Sequence, residues 1–177
     1  GFYRQAFALA RTGADLVCCP SQATLEDCAA NGFDRGRLRH VPWGVTPLPV
    51  TPHAITEMRT RLGLDEEYVL WTGTIEPRKN HVTLLDAFDL IWADDPGAHL
   101  VLVGRPGWHS EDVIARIVEH PHVGGRLHWY RGVDDAQLEA FYESARVVAV
   151  ASLAEGYGLP VIEALSHSTP VVASDVG

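Results

Sequence analysis

From residue 68 to residue 174 the chain repeats one unit: a short run of apolar, mostly β-branched or aromatic residues, a turn, then a segment with apolar residues at helical spacing. The runs are 68–72, 99–103, 127–130, 147–152 and 170–174, whose length and composition mark strands. After the first run, Leu84, Leu85, Phe88, Ile91 and Trp92 fall on one face of a helix. The next helix is expected to start at Ser110 as N-cap and to turn Ile114, Ile117 and Val118 inward. The third has Asp134 as N-cap and Gln137 placed for a capping box, and it buries Leu138, Phe141, Tyr142 and Ala145. The fourth carries Pro160 in its first turn, where the missing N–H has no partner to lose. Strands that are apolar on both faces and alternate with helices require a parallel sheet covered on both sides, because right-handed crossovers lay helices there. The expected fold is therefore α/β, a Rossmann-like parallel sheet of about five strands with helices on both faces.

Residues 1–45 do not follow this repeat. Residues 2–11 suit the end of a helix, 15–19 a short buried strand, Ser21 the N-cap of a helix ending at Asn31-Gly32, and 38–41 a second strand. Pro47, Pro49 and Pro52 stiffen the segment 46–53, which reads as a linker, and the charged stretch after it as a lead-in helix. The domains expected are 1–45, the end of one domain and its crossover; 46–65, linker and lead-in helix; and 66–177, a Rossmann-like domain incomplete at its C-terminus. Both ends look cut, so a longer protein is expected.

Composition removes several function classes. With 23 acidic against 14 basic residues and a formal net charge of -9, the chain has no broad basic field for a phosphate backbone, which excludes nucleic acid as a partner. Cys18, Cys19 and Cys28 are odd in number and two are adjacent, so they read as buried apolar thiols of a reducing, cytoplasmic compartment rather than a disulfide framework. No CxxC, HExxH or Asp-x-Asp motif occurs, and no metal site is expected. No apolar stretch approaches the ~20 residues of a membrane span. Among the bases Lys79 is the only lysine.

Gly73, Gly104, Gly132, Gly156, Gly158 and Gly177 follow the strands, at the edge where open α/β sheets bind ligands, and they read as a surface that a ligand approaches closely. Two loops there carry the chemistry. In 73–80, GTIEPRKN, Arg78 and Lys79 stand just before a helix whose free N–H groups and dipole favour an anion. A solvated charged turn is the plain alternative. It is neither a Walker loop nor GxGxxG. In 152–163, SLAEGYGLPVIE, Glu155 lies in a glycine-rich loop and Glu163 in the first turn of the following helix. Carboxylates accept hydrogen bonds from vicinal hydroxyls, while Glu163 could equally be a favourable acid at a helix start.

The strings GTIEPRKN, LVLVGRPGW, GVDDAQLEAFYESA, EGYGLPVIE with its Glu-x7-Glu spacing, and PVVASD, in that order, resemble the donor-binding half of the retaining glycosyltransferases of family 4, which have the GT-B fold. The resemblance covers residues 66–177, and 1–45 is similar to the end of that family's N-terminal, acceptor-binding domain. It implies transfer of a hexose from a nucleotide-diphosphate sugar to a glycan, lipid or small-molecule acceptor, with retention and without metal or other cofactor. By resemblance, Arg78 and Lys79 neutralise the diphosphate, and Gly73 and Thr74 belong to the same donor loop. Glu155 with the backbone of Gly156, Tyr157, Gly158 and Leu159 holds sugar and phosphate, Glu163 the ribose, and the turn at Gly132-Val133 with Leu138 walls the base. Glu155, Lys79 and Arg78 are the candidate catalytic groups. Many members carry an arginine where Thr74 stands. GTIEPRKN looks most like bacterial mannosyltransferases, which implies GDP-mannose. Peripheral membrane contact through other parts of a longer protein is compatible with the resemblance. A dehydrogenase would need GxGxxG after the first strand, and a glycosidase built on Glu155 and Glu163 leaves Arg78 and Lys79 unexplained. A nucleotide-sugar-binding piece without activity of its own and a GT-B-like epimerase or hydrolase remain as alternatives; the isolated chain is expected to bind nucleotide and transfer no sugar.

Overall fold

The computed structural model describes residues 2–64 and 67–176, and the chain divides into two units. Gly177 and the boundary at residues 65 and 66 lie outside the described residues.

The first unit runs to Gly44 and includes Glu155–Gly158. It contains α1 (Phe2–Gly13), β1 (Val17–Cys19), α2 (Gln22–Ala30) and β2 (Leu38–His40), with β1 parallel to β2. Ser21 caps α2 as expected, its hydroxyl accepting the Thr24 N–H at 3.0 Å. Cys19, Phe33 and Leu38 form a small core. Successive side chains on a strand point to opposite faces, so Cys19 is buried while Cys18 is exposed; the expectation of buried thiols holds for Cys19 and fails for Cys18.

The second unit comprises Val45–Ala154 and Leu159–Val176. It begins with α3 (Pro52–Leu62), whose cap Thr51 accepts the Ala54 N–H, so Pro52 is a helix start rather than part of the linker. There follow β3 (Tyr68–Thr72), α4 (His81–Asp94), β4 (His99–Val103), α5 (Glu111–Val118), β5 (Leu127–Tyr130), α6 (Asp135–Ser144), β6 (Val147–Val150), α7 (Leu159–Ser166) and β7 (Val171–Ala173). The five strands are all parallel, in the order β5-β4-β3-β6-β7. Alternation along each strand feeds two cores, one per face. Leu70, Val101, Val103 and Val148 pack with Met58, Phe141 and Tyr142. Trp71, Leu100, Leu102 and Leu127 pack with Leu85, Phe88, Trp92 and Ile117. This is the α/β arrangement expected from doubly apolar strands.

The Asp134–Gln137 capping box forms in both directions, at 2.8 and 3.0 Å. Ser110 occupies its N-cap position, but its hydroxyl donates to the Gly107 carbonyl instead of capping. Two inward assignments fail. Ile91 is 40% exposed, because at about 100° per residue it lies just outside the arc defined by Leu84, Leu85, Phe88 and Trp92. Val118 is 45% exposed, the buried stripe of α5 centring on Ile117.

Candidate active site

β3 pairs with both β4 and β6. The chain builds outward from β3 through β4 to β5, then returns to place β6 on the other side of β3. The strand order therefore reverses between β3 and β6, and in open α/β sheets the crevice outside the carboxyl ends at such a reversal is the ligand site. The loops leaving these two strands are tied together there: the Leu153 N–H donates to the Arg78 carbonyl at 2.8 Å, and Arg78 Nη1 donates to the Ala154 carbonyl at 2.7 Å.

The β3 loop is also joined to the loop after β4. The Gly73 N–H donates to Val103 O at 3.0 Å, Ile75 N–H to Arg105 O at 2.9 Å, and Gly107 N–H to Ile75 O at 2.9 Å. Gly73 has φ 134, outside the range of most side-chain-bearing residues. A Cβ on Gly104 would lie 1.7 Å from the Gly73 carbonyl oxygen. The glycine at position 104 is thus required by loop-on-loop packing, not by ligand approach. Pro77–Lys79 form one tight turn, Asn80 is left-handed with φ 56, and α4 starts at His81, leaving its first-turn N–H groups at the crevice.

Within this turn the two cations differ. Arg78 donates through Nη2 to Glu76 Oε1 at 2.8 Å and through Nε to the same oxygen at 3.0 Å, and Trp108 Nε1 donates to Glu76 Oε2 at 2.9 Å. Arg78 is therefore a charge-compensated brace between the two loops. Lys79 is buried, at 8% exposure, with Cε 3.7 Å from where a Gly73 side chain would begin. Thr74 is exposed. His81 is 1% exposed, packs edge-on to Trp71 with centroids 4.0 Å apart, and has no hydrogen-bond partner among the described residues on either nitrogen. Burial, then the charge of Lys79, pushes its pKa down to about 4, so the imidazole is neutral at pH 7.

On the other face, Val133 and Leu138 are half-buried against the core. α7 starts at Leu159, which puts Glu163 in the second turn rather than the first, so helix-terminus electrostatics does not account for it. Glu163 Oε2 accepts a hydrogen bond from Tyr142 Oη at 2.6 Å, and Tyr142 Oη lies 2.6 Å from Thr72 Oγ1. In the first unit, Ser21 Oγ and Thr24 Oγ1 both donate to the Gly156 carbonyl oxygen, the latter at 3.0 Å. Tyr157 Oη donates to Trp43 O, and the two rings meet edge to face at 5.5 Å. Of the residues singled out by sequence, Gly73, Thr74, Arg78, Lys79, Val133, Leu138, Leu159 and Glu163 belong to the second unit, and Glu155, Gly156, Tyr157 and Gly158 to the first.

A family model for "Glycosyl transferases group 1" matches residues 55–177. The chain belongs to this family. "Serotype-specific mannosyltransferase WbdA" of Escherichia coli is 35% identical over 107 residues, which is 60% of this chain and 13% of that protein. "D-inositol 3-phosphate glycosyltransferase" of Segniliparus rotundus is 35% identical over 149 residues, 81% of this chain and 33% of that protein. The chain thus spans a third or less of these relatives. By structure it is similar to Anabaena Alr3699/HepE, solved with UDP-glucose, at TM-score 0.81 and 23% identity, covering 98% of this chain and 48% of that one. The sheet and its helices have the fold of the GT-B glycosyltransferases.

In this group 1 glycosyltransferase domain, two residues bonded to candidate site residues, Glu76 and Tyr142, are not site candidates by sequence. Glu76 gave no motif beyond its place in EPRKN, and its role is visible only through Arg78 and Trp108. Helical spacing places Tyr142 in the core, and a buried tyrosine needs a partner for its hydroxyl. No helix among the described residues is long and apolar enough to cross a membrane.

Proposed function

We propose that this chain supplies the donor site of a retaining family 4 glycosyltransferase that transfers mannose from GDP-mannose to an acceptor. The observation that carries it is the single lysine, buried at the N-terminus of α4 where the β3 and β6 loops join at the reversal of strand order. A buried ammonium beside helix N–H groups favours an anionic ligand, and phosphate is the ligand suited to both. When the anomeric C–O bond breaks, negative charge grows on the departing nucleoside diphosphate. Groups fixed on it beforehand stabilise the transition state more than the ground state. Lys79 supplies this charge. Arg78, its charge shared with Glu76, adds to the neutralisation of the diphosphate and holds the β6 loop in place. Gly73 and Thr74 border the phosphates, Glu155 with Gly156, Tyr157, Gly158 and Leu159 takes sugar and phosphate, Glu163 the ribose, and Val133 with Leu138 the base. Residues 1–45 belong on this reading to the end of the acceptor-binding domain, 46–65 to the linker and lead-in helix, and 66–177 to the donor domain. The free thiols fit a cytoplasmic setting. The mannosyltransferase name of a relative supports mannose and the UDP-glucose complex of a structural neighbour supports a nucleotide sugar.

Calorimetric titration with GDP, UDP and ADP tests the proposal. GDP is expected to bind tightest, and Lys79→Met, which keeps the buried stem, to weaken GDP by at least about tenfold, or about 1.4 kcal/mol. Unchanged affinity in Lys79→Met refutes the phosphate site; a preference for UDP or ADP refutes GDP-mannose.

A further inference from the structure

We infer that Tyr142 is a positioning residue for the ribose of the nucleotide, acting through Glu163; this rests on the proposed role of Glu163 as ribose ligand. The network lies in three elements: Thr72 at the end of β3, Tyr142 on α6 and Glu163 on α7. A tyrosine hydroxyl has one proton, and here it goes to Glu163 Oε2 at 2.6 Å. The 2.6 Å contact with Thr72 Oγ1 must therefore run the other way, Thr72 donating to Tyr142. The chain of donors ends on the carboxylate and fixes one of its oxygens. Among the described residues Oε1 accepts no protein hydrogen bond, which leaves it and the remaining lone pairs for a vicinal diol.

Tyr142 is held too firmly to be an adaptable contact. It is 1% exposed and Thr72 is 7% exposed. The Tyr142 carbonyl accepts from Thr169 Oγ1 at 2.7 Å. Its ring lies nearly parallel to that of His167, at 4°, with centroids 6.0 Å apart. His167 is in turn bonded through Nδ1 to Glu143 at 2.8 Å and through Nε2 to Glu139. Burial, and next the neighbouring charge of Glu163, pushes the phenol pKa far up, so it stays a donor throughout the working pH range. Phenylalanine would fill the same core volume, so packing does not call for the hydroxyl. A glutamate side chain left free would have to be ordered when ligand binds, whereas one already fixed binds more tightly.

The test is the affinity of the full chain for GDP and for 2′,3′-dideoxy-GDP, measured by calorimetry. Wild type is expected to favour GDP. Tyr142→Phe should weaken GDP about three- to tenfold and leave 2′,3′-dideoxy-GDP unchanged, because only the ribose hydroxyls use the oriented carboxylate. Equal loss on both ligands means a merely structural role and overturns the inference. Glu163→Ala is run beside it. If Glu163→Ala removes the preference for GDP and Tyr142→Phe does not, Tyr142 is not the positioning residue although Glu163 is the ribose ligand. If Glu163→Ala leaves the preference intact, the ribose assignment itself fails. Should Tyr142→Phe not fold, Thr72→Val is read on the same pair of ligands, with a selective loss for GDP expected and an equal or absent loss overturning the inference.

Discussion

Replacing His81 by phenylalanine should make the protein more stable in mild acid. The imidazole is 1% exposed, has no partner among the described residues on either nitrogen, and packs on Trp71 at the N-terminus of α4. Burial, the want of a partner and the helix N-terminus disfavour its cation, and burial with Lys79 takes its pKa from 6.5 to about 4. The unfolded chain therefore binds a proton between these values that the folded chain refuses. Stability from this group is fully present above about pH 6.5 and is lost as pH falls towards about 4. Linkage over those two values gives a loss of about 2 kcal/mol between about pH 7.5 and about pH 5, rising to about 3 kcal/mol at lower pH. Phenylalanine keeps the ring packing and removes both the titration and two unsatisfied buried atoms. Urea unfolding of wild type and His81→Phe at about pH 7.5 and about pH 5 reads the difference. The variant is expected to match or exceed wild type at the higher pH and to lose about 2 kcal/mol less on acidification. An identical pH dependence in the two proteins would refute the argument.

Gly104→Ala places a Cβ 1.7 Å from the Gly73 carbonyl oxygen, so a loss of about 3 kcal/mol or more, or failure to fold, is expected in thermal melts. A fold-neutral Gly104→Ala would show that the two loops separate readily. Glu155→Gln should weaken GDP-mannose more than GDP in parallel titrations, since only the donor carries the sugar; equal loss on both contradicts its proposed role.

Strand count, sheet type and helix faces were legible because they rest on local periodicity: residues 68–71 and 100–103 are apolar on both faces, and only a doubly covered parallel sheet accommodates that. Asp134 and Gln137 announced their helix start by spacing alone, and both bonds form. Features that depend on one loop meeting another were not legible. In sequence Gly104 is like every other glycine after a strand; only the fold brings the Gly73 carbonyl into the space its side chain would need. Ser110 had the right type and position for a cap, but the nearby Gly107 carbonyl took its proton. Tyr142 was identifiable as buried from its spacing, yet its partners Thr72 and Glu163 are 70 and 21 residues away.

The adjacent cations Arg78 and Lys79 illustrate the same limit at the level of charge. In sequence they are two equal positive groups before a helix. In the fold Arg78 faces Glu76, which Trp108 holds from its other oxygen, and spends Nη1 on the β6 loop. The turn from Glu76 to Lys79 therefore carries a surplus of one positive charge rather than two, with about half a charge more from the N-terminus of α4. A fully cationic crevice would have to hold several like charges together before any anion arrived, at a cost in stability. Pairing Arg78 and keeping His81 neutral limit that cost. Lys79 is buried at the start of α4, and the contacts that compensate Arg78 also tie together the loops around it. On the proposed reading, an anion entering there meets groups already in place, so the loops need little reorganisation as charge on the anion grows.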